Sequence, residues 1–257
     1  MTITIIVALL ILAALAYAGM PKRPMRVLLR VDIQNGFMPK DDKIPGTGEL
    51  PVDGAPEIVP TVNALSNCDR FDSVVDTQDF HPVDHESFYT QHEGKKPFDE
   101  IDLHGVRQTL WNPHCRQNTP GCEFYPTLDR SRVAFTQRKG MNKQRDSYSG
   151  FWDNGHKEST GLADYLRAEA RRRGFKGVEV TVVGVTRPFC DTYTAWDSVD
   201  EGFKTYLVED ACSMLGDAAA EKADRERLTG HGVVFVKAND ILRGSGAGCW
   251  NPRGQWK

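Results

Sequence analysis

Cysteine is scarce in this chain. The six residues of this type (Cys68, Cys115, Cys122, Cys190, Cys212 and Cys249) are spread over 257 positions, far too thinly for a disulfide scaffold. That favours a reduced, cytosolic protein. An excess of one charge sign is lacking too. Lys and Arg number 32 against 35 Asp and Glu, for a net charge of −3, which gives no reason to expect nucleic acid or an acidic substrate as partner. No internal repeat is present. What remains is ordinary: 40% hydrophobic and 26% charged residues allow a sizeable core and argue against global disorder. The length predicts one large α/β domain or two small ones.

Charge is also missing from the first twenty residues, of which Ile3–Ala18 is almost wholly apolar. Ala16-Tyr17-Ala18 fits a small-residue cleavage site. Yet no Lys or Arg precedes the apolar run, whereas Lys22, Arg23 and Arg26 follow it, the reverse of an export signal. Positive charge on the C-terminal flank holds that side in the cytoplasm. A run of about 18 residues is just long enough to span a bilayer. Residues 1–21 are therefore expected to be an anchor, with residues 3–20 tethering a cytoplasmic catalytic domain. A cleaved export signal and a mis-assigned start are the alternatives. Residues 22–242 form the expected domain, and 243–257 an irregular tail rich in Gly and Trp.

Strands and helices alternate through the domain. Strands are predicted at Arg26–Asp32, Ser73–Asp76, Arg132–Gln137, Val178–Gly184, Lys204–Val208 and Val233–Lys237. Helices are predicted at Leu162–Arg173, capped by Ser159 or Thr160 and stopped by Gly174, at Asp191–Glu201, stopped by Gly202, and at Ala218–Leu228. Such alternation predicts an α/β fold with a mostly parallel sheet covered on both faces. Ligands then bind beyond the C-terminal strand ends, where Asp32, Asp79, Lys139 and Cys190 all fall. The polar stretch His85–Pro113 reads as a long irregular loop, a functional lid or a disordered insert.

The chemistry at those strand ends is specific. Cys190 follows a strand and opens a helix, where the dipole and free backbone N–H groups acidify a thiol and can bind an oxyanion. Asp32 and Lys139, as an ion pair beside it, can accept its proton and steady the thiolate. Asp79 and His81 are two apart, so an extended strand end presents both on one side. His114 completes an Asp/His/His set suited to Zn(II), Fe(II) or Mn(II) with positions left open. Five of the seven histidines lie between positions 81 and 114. His85 is a spare candidate, and His92 and His104 read as solvated. The combination predicts covalent hydrolysis of a metal-oriented amide.

These motifs, VDIQNGF (31–37), QDFHPVDHESF (78–88), LWNPHC (110–115), TPG (119–121), RKG (138–140), DSYSGFWDNG (146–155) and GVTRPFC (184–190), together resemble the nicotinamidases of the isochorismatase-like cysteine hydrolase superfamily, from about Arg26 to Lys237. The resemblance implies a three-layer α/β/α isochorismatase-like hydrolase fold and conversion of nicotinamide to nicotinate and ammonia, a step of NAD salvage. It implies Cys190 as nucleophile, Asp32 as proton carrier and Lys139 as stabiliser of the ionised pair. The oxyanion would meet the backbone N–H groups of Thr186 and Cys190, after a cis peptide between Val185 and Thr186. Asp79, His81 and His114 would hold the metal, zinc first, against the pyridine nitrogen. Phe37, Trp111 and Tyr148 would wall a flat ring. A homo-oligomer is left open.

The chain departs from that pattern in five places. Gly36 replaces an acidic residue. Thr186-Arg187-Pro188-Phe189 replaces a small and acidic run, and Asp191 follows the Cys where an apolar residue is usual. Arg187 could face outward, or line the pocket and favour an acidic substrate; it is the main support for the alternative reading, a related hydrolase acting on another amide, carbamoyl or ureido substrate. Arg30 replaces an apolar residue and Asp76, in the next strand, a small or apolar one. Because a lone buried charge is very costly, they are expected to pair.

Overall fold

A computed structural model describes residues 23–243. The expected N-terminal anchor or signal, and the tail from 244 onward, lie outside the described residues. Among the described residues no helix is long and apolar enough to cross a membrane.

Strand β1 (Met25–Val31) is buried along almost its whole length, as a central parallel strand must be. The following helix, α1 (Ala55–Asn67), is absent from the sequence-based expectation. Pro56 suits a helix start, but Pro60 lies in the interior, where helix patterns exclude it. Ile58, Val59, Val62 and Leu65 nevertheless form one buried stripe, and their packing outweighs the missing N–H. Strand β2 (Ser73–Asp79) runs three residues further than expected. Its polar end, Asp76-Thr77-Gln78-Asp79, is as buried as its start.

The lid is partly ordered by a hairpin, which corrects the irregular expectation. Strands β3 (Glu100–Leu103) and β4 (Val106–Thr109) pair antiparallel. They turn at His104 (φ 54°) and Gly105 (φ 84°), two positive-φ residues such as a tight hairpin requires. His in place of the usual Asn or Asp hides that signal. Strand β5 (Val133–Lys139) leads to α2 (Leu162–Arg172), whose N-cap is Gly161 rather than Ser159 or Thr160. Thr160 Oγ1 still accepts the Leu162 N–H at 3.2 Å. Then come β6 (Val178–Arg187), α3 (Cys190–Asp200), β7 (Lys204–Met214), α4 (Ala218–His231), β8 (Val234–Val236) and a short α5 (Ala238–Leu242).

The six long-range strands form one parallel sheet in the order β5-β2-β1-β6-β7-β8. Leu28, Val62, Leu65, Val183 and Ile241 belong to the core on one face. Val27, Leu29, Val182, Leu166, Ala195 and Leu228 belong to that on the other. This is the three-layer α/β/α arrangement. The chain leaves β1 in one direction and returns with β6 on its other side, so a crevice opens beyond the ends of β1 and β6. Gly184 (φ 144°) sits opposite Val31 there. A Cβ at this position would collide with the Val31 backbone.

Arg30 and Asp76 are direct partners in the β1–β2 register, and they pair as expected. Arg30 Nε and Nη2 reach the two Asp76 carboxylate oxygens at 2.7 and 3.1 Å, with both residues almost fully buried. Arg30 Nη1 donates to Ser66 Oγ and to the Asp129 carbonyl, and Arg130 Nε donates to Asp76 at 2.9 Å.

Candidate active site

Asp32, Lys139 and Cys190 come together at the crevice. Asp32 follows β1 with φ 46°. Thr77, on the neighbouring strand, locks it. The Thr77 hydroxyl donates to Asp32 Oδ1 at 2.6 Å and accepts the Asp32 backbone N–H at 3.2 Å. Lys139 ends β5. Its Nζ lies 2.8 Å from Asp32 Oδ2, pairs closely with Asp79 Oδ1, donates to the Ser147 carbonyl at 2.8 Å and stands 3.5 Å from Cys190 Sγ. Cys190 opens α3.

Electrostatics follow from that arrangement. Burial, opposed by Lys139, pushes the Asp32 carboxyl up to about 6. Burial works against the charge of Lys139, but Asp32 and Asp79 hold the ammonium well above the usual lysine range. Burial also pushes the Cys190 thiol well up, against the pull of Lys139. That shift favours the protonated thiol at Cys190, with the Asp32 carboxyl group and the Lys139 ammonium beside it.

Asp79, His81 and His114 converge as expected. Their ligand atoms form one buried group, with Asp79 Oδ2 at 3.5 Å from His81 Nε2 and 3.8 Å from His114 Nε2. Each imidazole has its far nitrogen on a backbone carbonyl: His81 Nδ1 on Gly140 at 2.9 Å and His114 Nδ1 on Asn112 at 2.7 Å. A carbonyl only accepts, so each Nδ1 carries a proton and each Nε2 is the nitrogen turned toward Asp79. With Nε2 unprotonated, the two imidazoles and the free Asp79 oxygen can offer three donor atoms to one cation. Ligand atoms about 2.1 Å from a tetrahedral ion would stand roughly 3.4 Å apart, close to the spacing found. The donor set fits a divalent cation. His85 adjoins it, grouped with His81 and Asp146, and its Nδ1 is engaged by Ser87 Oγ and N–H. His92 and His104 are not simply solvated, because both bind Glu86 and tie the lid to itself.

Phe37, Trp111 and Tyr148 line the pocket in front of Cys190, with Thr186 and Val185 at its back. The Trp111 indole N–H donates to the Tyr148 hydroxyl at 3.2 Å. Phe189 and Phe98, which sequence reasoning missed, complete the wall. Phe189 meets Trp111 edge-on at 4.9 Å, and Phe98, more than half exposed, meets it at 5.7 Å. Thr77 was missed as well, although its place two residues before Asp79 on a strand puts both on one face.

Two departures from the family pattern resolve here. A side chain at Gly36 would crowd Glu49, whose Oε2 accepts the Cys115 N–H at 2.9 Å. Glu49 thus returns a carboxylate to the region where Gly36 lacks one. Arg187 neither faces outward nor lines the pocket. It is buried, with Nε 2.8 Å from Asp224 Oδ2. The peptides Val185–Thr186 and Arg187–Pro188 are both cis; only the first was expected.

Comparison with known proteins points to one family. A family model described as the isochorismatase domain matches residues 26–240. A nicotinamidase of Acinetobacter baylyi is 38% identical over 216 residues, 84% of this chain and 94% of that protein. Among solved structures, a nicotinamidase/pyrazinamidase of Acinetobacter baumanii superposes with a TM-score of 0.76 at 39% identity, covering 86% of this chain and 100% of that one. A pyrazinamidase of Pyrococcus horikoshii in complex with zinc gives 0.62 at 30% identity, covering 83% and 99%.

Proposed function

Since the chain belongs to the isochorismatase domain family, we propose that it is a metal-dependent cysteine amidohydrolase that converts nicotinamide to nicotinate and ammonia, feeding NAD salvage. One observation carries this reading. The Lys139 ammonium stands between Asp32, Cys190 and Asp79, joining a thiol–carboxylate pair to an Asp/His/His donor set across one aromatic pocket.

A pyridine ring would lie among Phe37, Trp111 and Tyr148, with its carboxamide carbon before Cys190 Sγ. Asp32 takes the thiol proton as sulfur attacks, and returns it to the departing nitrogen as ammonia leaves. Lys139 keeps Asp32 anionic and steadies the developing thiolate. The backbone N–H groups of Thr186 and Cys190 would receive the oxyanion. Water, activated by Asp32, then cleaves the thioester and frees the acid. Asp79, His81 and His114 would hold the divalent ion, with zinc favoured and iron or manganese open; when bound, it supplies a Lewis acid that orients the pyridine nitrogen. The carbamoyl or ureido alternative rested on Arg187 lining the pocket, and its burial against Asp224 removes that support.

The test is ammonia release from nicotinamide before and after chelation. Activity lost on chelation and restored by Zn(II), Fe(II) or Mn(II) is expected, with Cys190→Ala inactive. Silence in folded, metal-loaded protein would overturn nicotinamide as substrate, and normal turnover by Cys190→Ala would overturn the mechanism.

A further inference from the structure

The segment that carries the nucleophile is short and irregular. It leaves β6 at Arg187, passes Pro188 and Phe189, and enters α3 at Cys190. Neither Arg187 nor Thr192 is itself among the residues that line the pocket. Both converge instead on one carboxylate from a distant helix. Asp224 Oδ2 accepts from Arg187 Nε at 2.8 Å, and Asp224 Oδ1 accepts from Thr192 Oγ1 at 2.9 Å. Arg187 stands three residues before Cys190 and Thr192 two after it, so a single side chain holds the turn from both ends.

The setting makes this costly to arrange. Helix α4 buries only two residues, Asp224 and Leu228, so half of its inward face is a charge. The Asp224 and Arg187 side chains are 1% and 2% exposed. The guanidinium is further placed by Phe235, whose ring centre lies 5.1 Å away, and by the Glu221 carbonyl at 3.5 Å. Arg227, partly exposed, adds a contact to Asp224 at 3.4 Å. A buried ion pair is often no more stabilising than apolar residues of similar volume. Docking α4 therefore does not require it. What the pair provides, and Leu or Met would not, is a fixed direction of hydrogen bonding to two points around the nucleophile.

We propose that Asp224 is a positioning residue of the amidase reaction, clamping the Cys190 turn through Arg187 and Thr192 so that the thiol and the neighbouring N–H groups stay aligned. It rests on the amidohydrolase reading for its kinetic arm and on Cys190 chemistry alone for its second arm. Small displacements of a reacting group reduce rate far more than substrate binding. The side chains of the clamp line no part of the pocket, so its loss should separate the two.

The experiment uses the full-length, metal-loaded protein. Asp224→Asn keeps the shape and weakens the Arg187 bond. The double variant Arg187→Met/Asp224→Leu removes both charges together, so neither partner is left buried without the other, and the fold is expected to hold even where Asp224→Asn unfolds. Thr192→Val removes the second arm alone. Each is measured for kcat and KM on nicotinamide, for thermal midpoint, and for the rate of Cys190 alkylation by iodoacetamide, followed by peptide mass spectrometry. In the double variant, kcat is expected to fall about tenfold or more with KM within about twofold. Cys190 alkylation should change by a similar factor while the thermal midpoint holds. Thr192→Val should show a smaller loss in the same direction. A folded double variant with the parental kcat and alkylation rate overturns the clamp, as does a kcat loss matched by a proportional rise in KM with alkylation unchanged. If the parent releases no ammonia from nicotinamide, the substrate assignment fails, and the alkylation comparison still decides the clamp.

Discussion

Arg30 and Asp76 allow the strongest test of how charge is accommodated beneath this site. Arg30→Met would leave the Asp76 carboxylate in a fully buried position with only Arg130 as partner. Removing one member of a buried pair costs roughly 3–5 kcal/mol. Because Arg130 remains, the low end, about 3 kcal/mol, is expected. Asp76→Val would strand the guanidinium on two neutral acceptors, Ser66 Oγ and the Asp129 carbonyl, for about 4 kcal/mol. The double variant buries no unpaired charge, and Arg130, partly exposed, can turn to solvent. Its cost reduces to the acceptors left behind and imperfect filling, about 4 kcal/mol in all. The coupling is then about 3 kcal/mol. Urea unfolding of the four proteins at equal m-value measures it. Additive single effects, with coupling below about 0.5 kcal/mol, would refute the pairing as an energetic unit.

Other outcomes follow from single residues. Gly140→Ala would drive a methyl group into the His81 ring at a positive φ of 61°, and metal affinity should fall about 10–100-fold; unchanged metal content after dialysis would refute the role given to the Gly140 carbonyl. Gly184→Ala places a Cβ against the Val31 backbone and should destabilise by more than about 3 kcal/mol, read by urea midpoint; a neutral effect would mean β1 and β6 can separate. Burial pushes the Asp197 carboxyl up to about 6, opposed by Ser149 and His156. The folded protein then holds this proton more tightly than the unfolded chain, so its contribution is present below about pH 4 and is lost as pH rises through 6, amounting to about 3 kcal/mol. Asp197→Asn should flatten the fall of stability between pH 4 and 6, and equal slopes in both proteins would contradict the shift.

Much of the molecule was legible in residue order. The strand–helix alternation gave the parallel sheet, because strands buried on both faces read as continuous Val and Leu runs. Asp32, Asp79, Lys139 and Cys190 met because each falls at a strand end, and parallel strands put their C-terminal ends on one edge. Even the Arg30–Asp76 pair could be anticipated, since two unexplained charges in neighbouring strands need one another. Tertiary structure decided the rest. Helix α1 forms around Pro60 only because its apolar stripe is covered by β1, β6 and β7. Thr77 became the lock on Asp32, and Glu49 returned a carboxylate beside Gly36, through contacts 45 and 13 residues away in sequence. The sequence leaves Arg187 either facing outward or lining the pocket, yet it turns inward to Asp224, 37 residues later. Local sequence carries periodicity and backbone preference over a few residues. It says what a side chain can do. Which partner it meets depends on strand order and helix docking, and those are settled only when the whole core has closed.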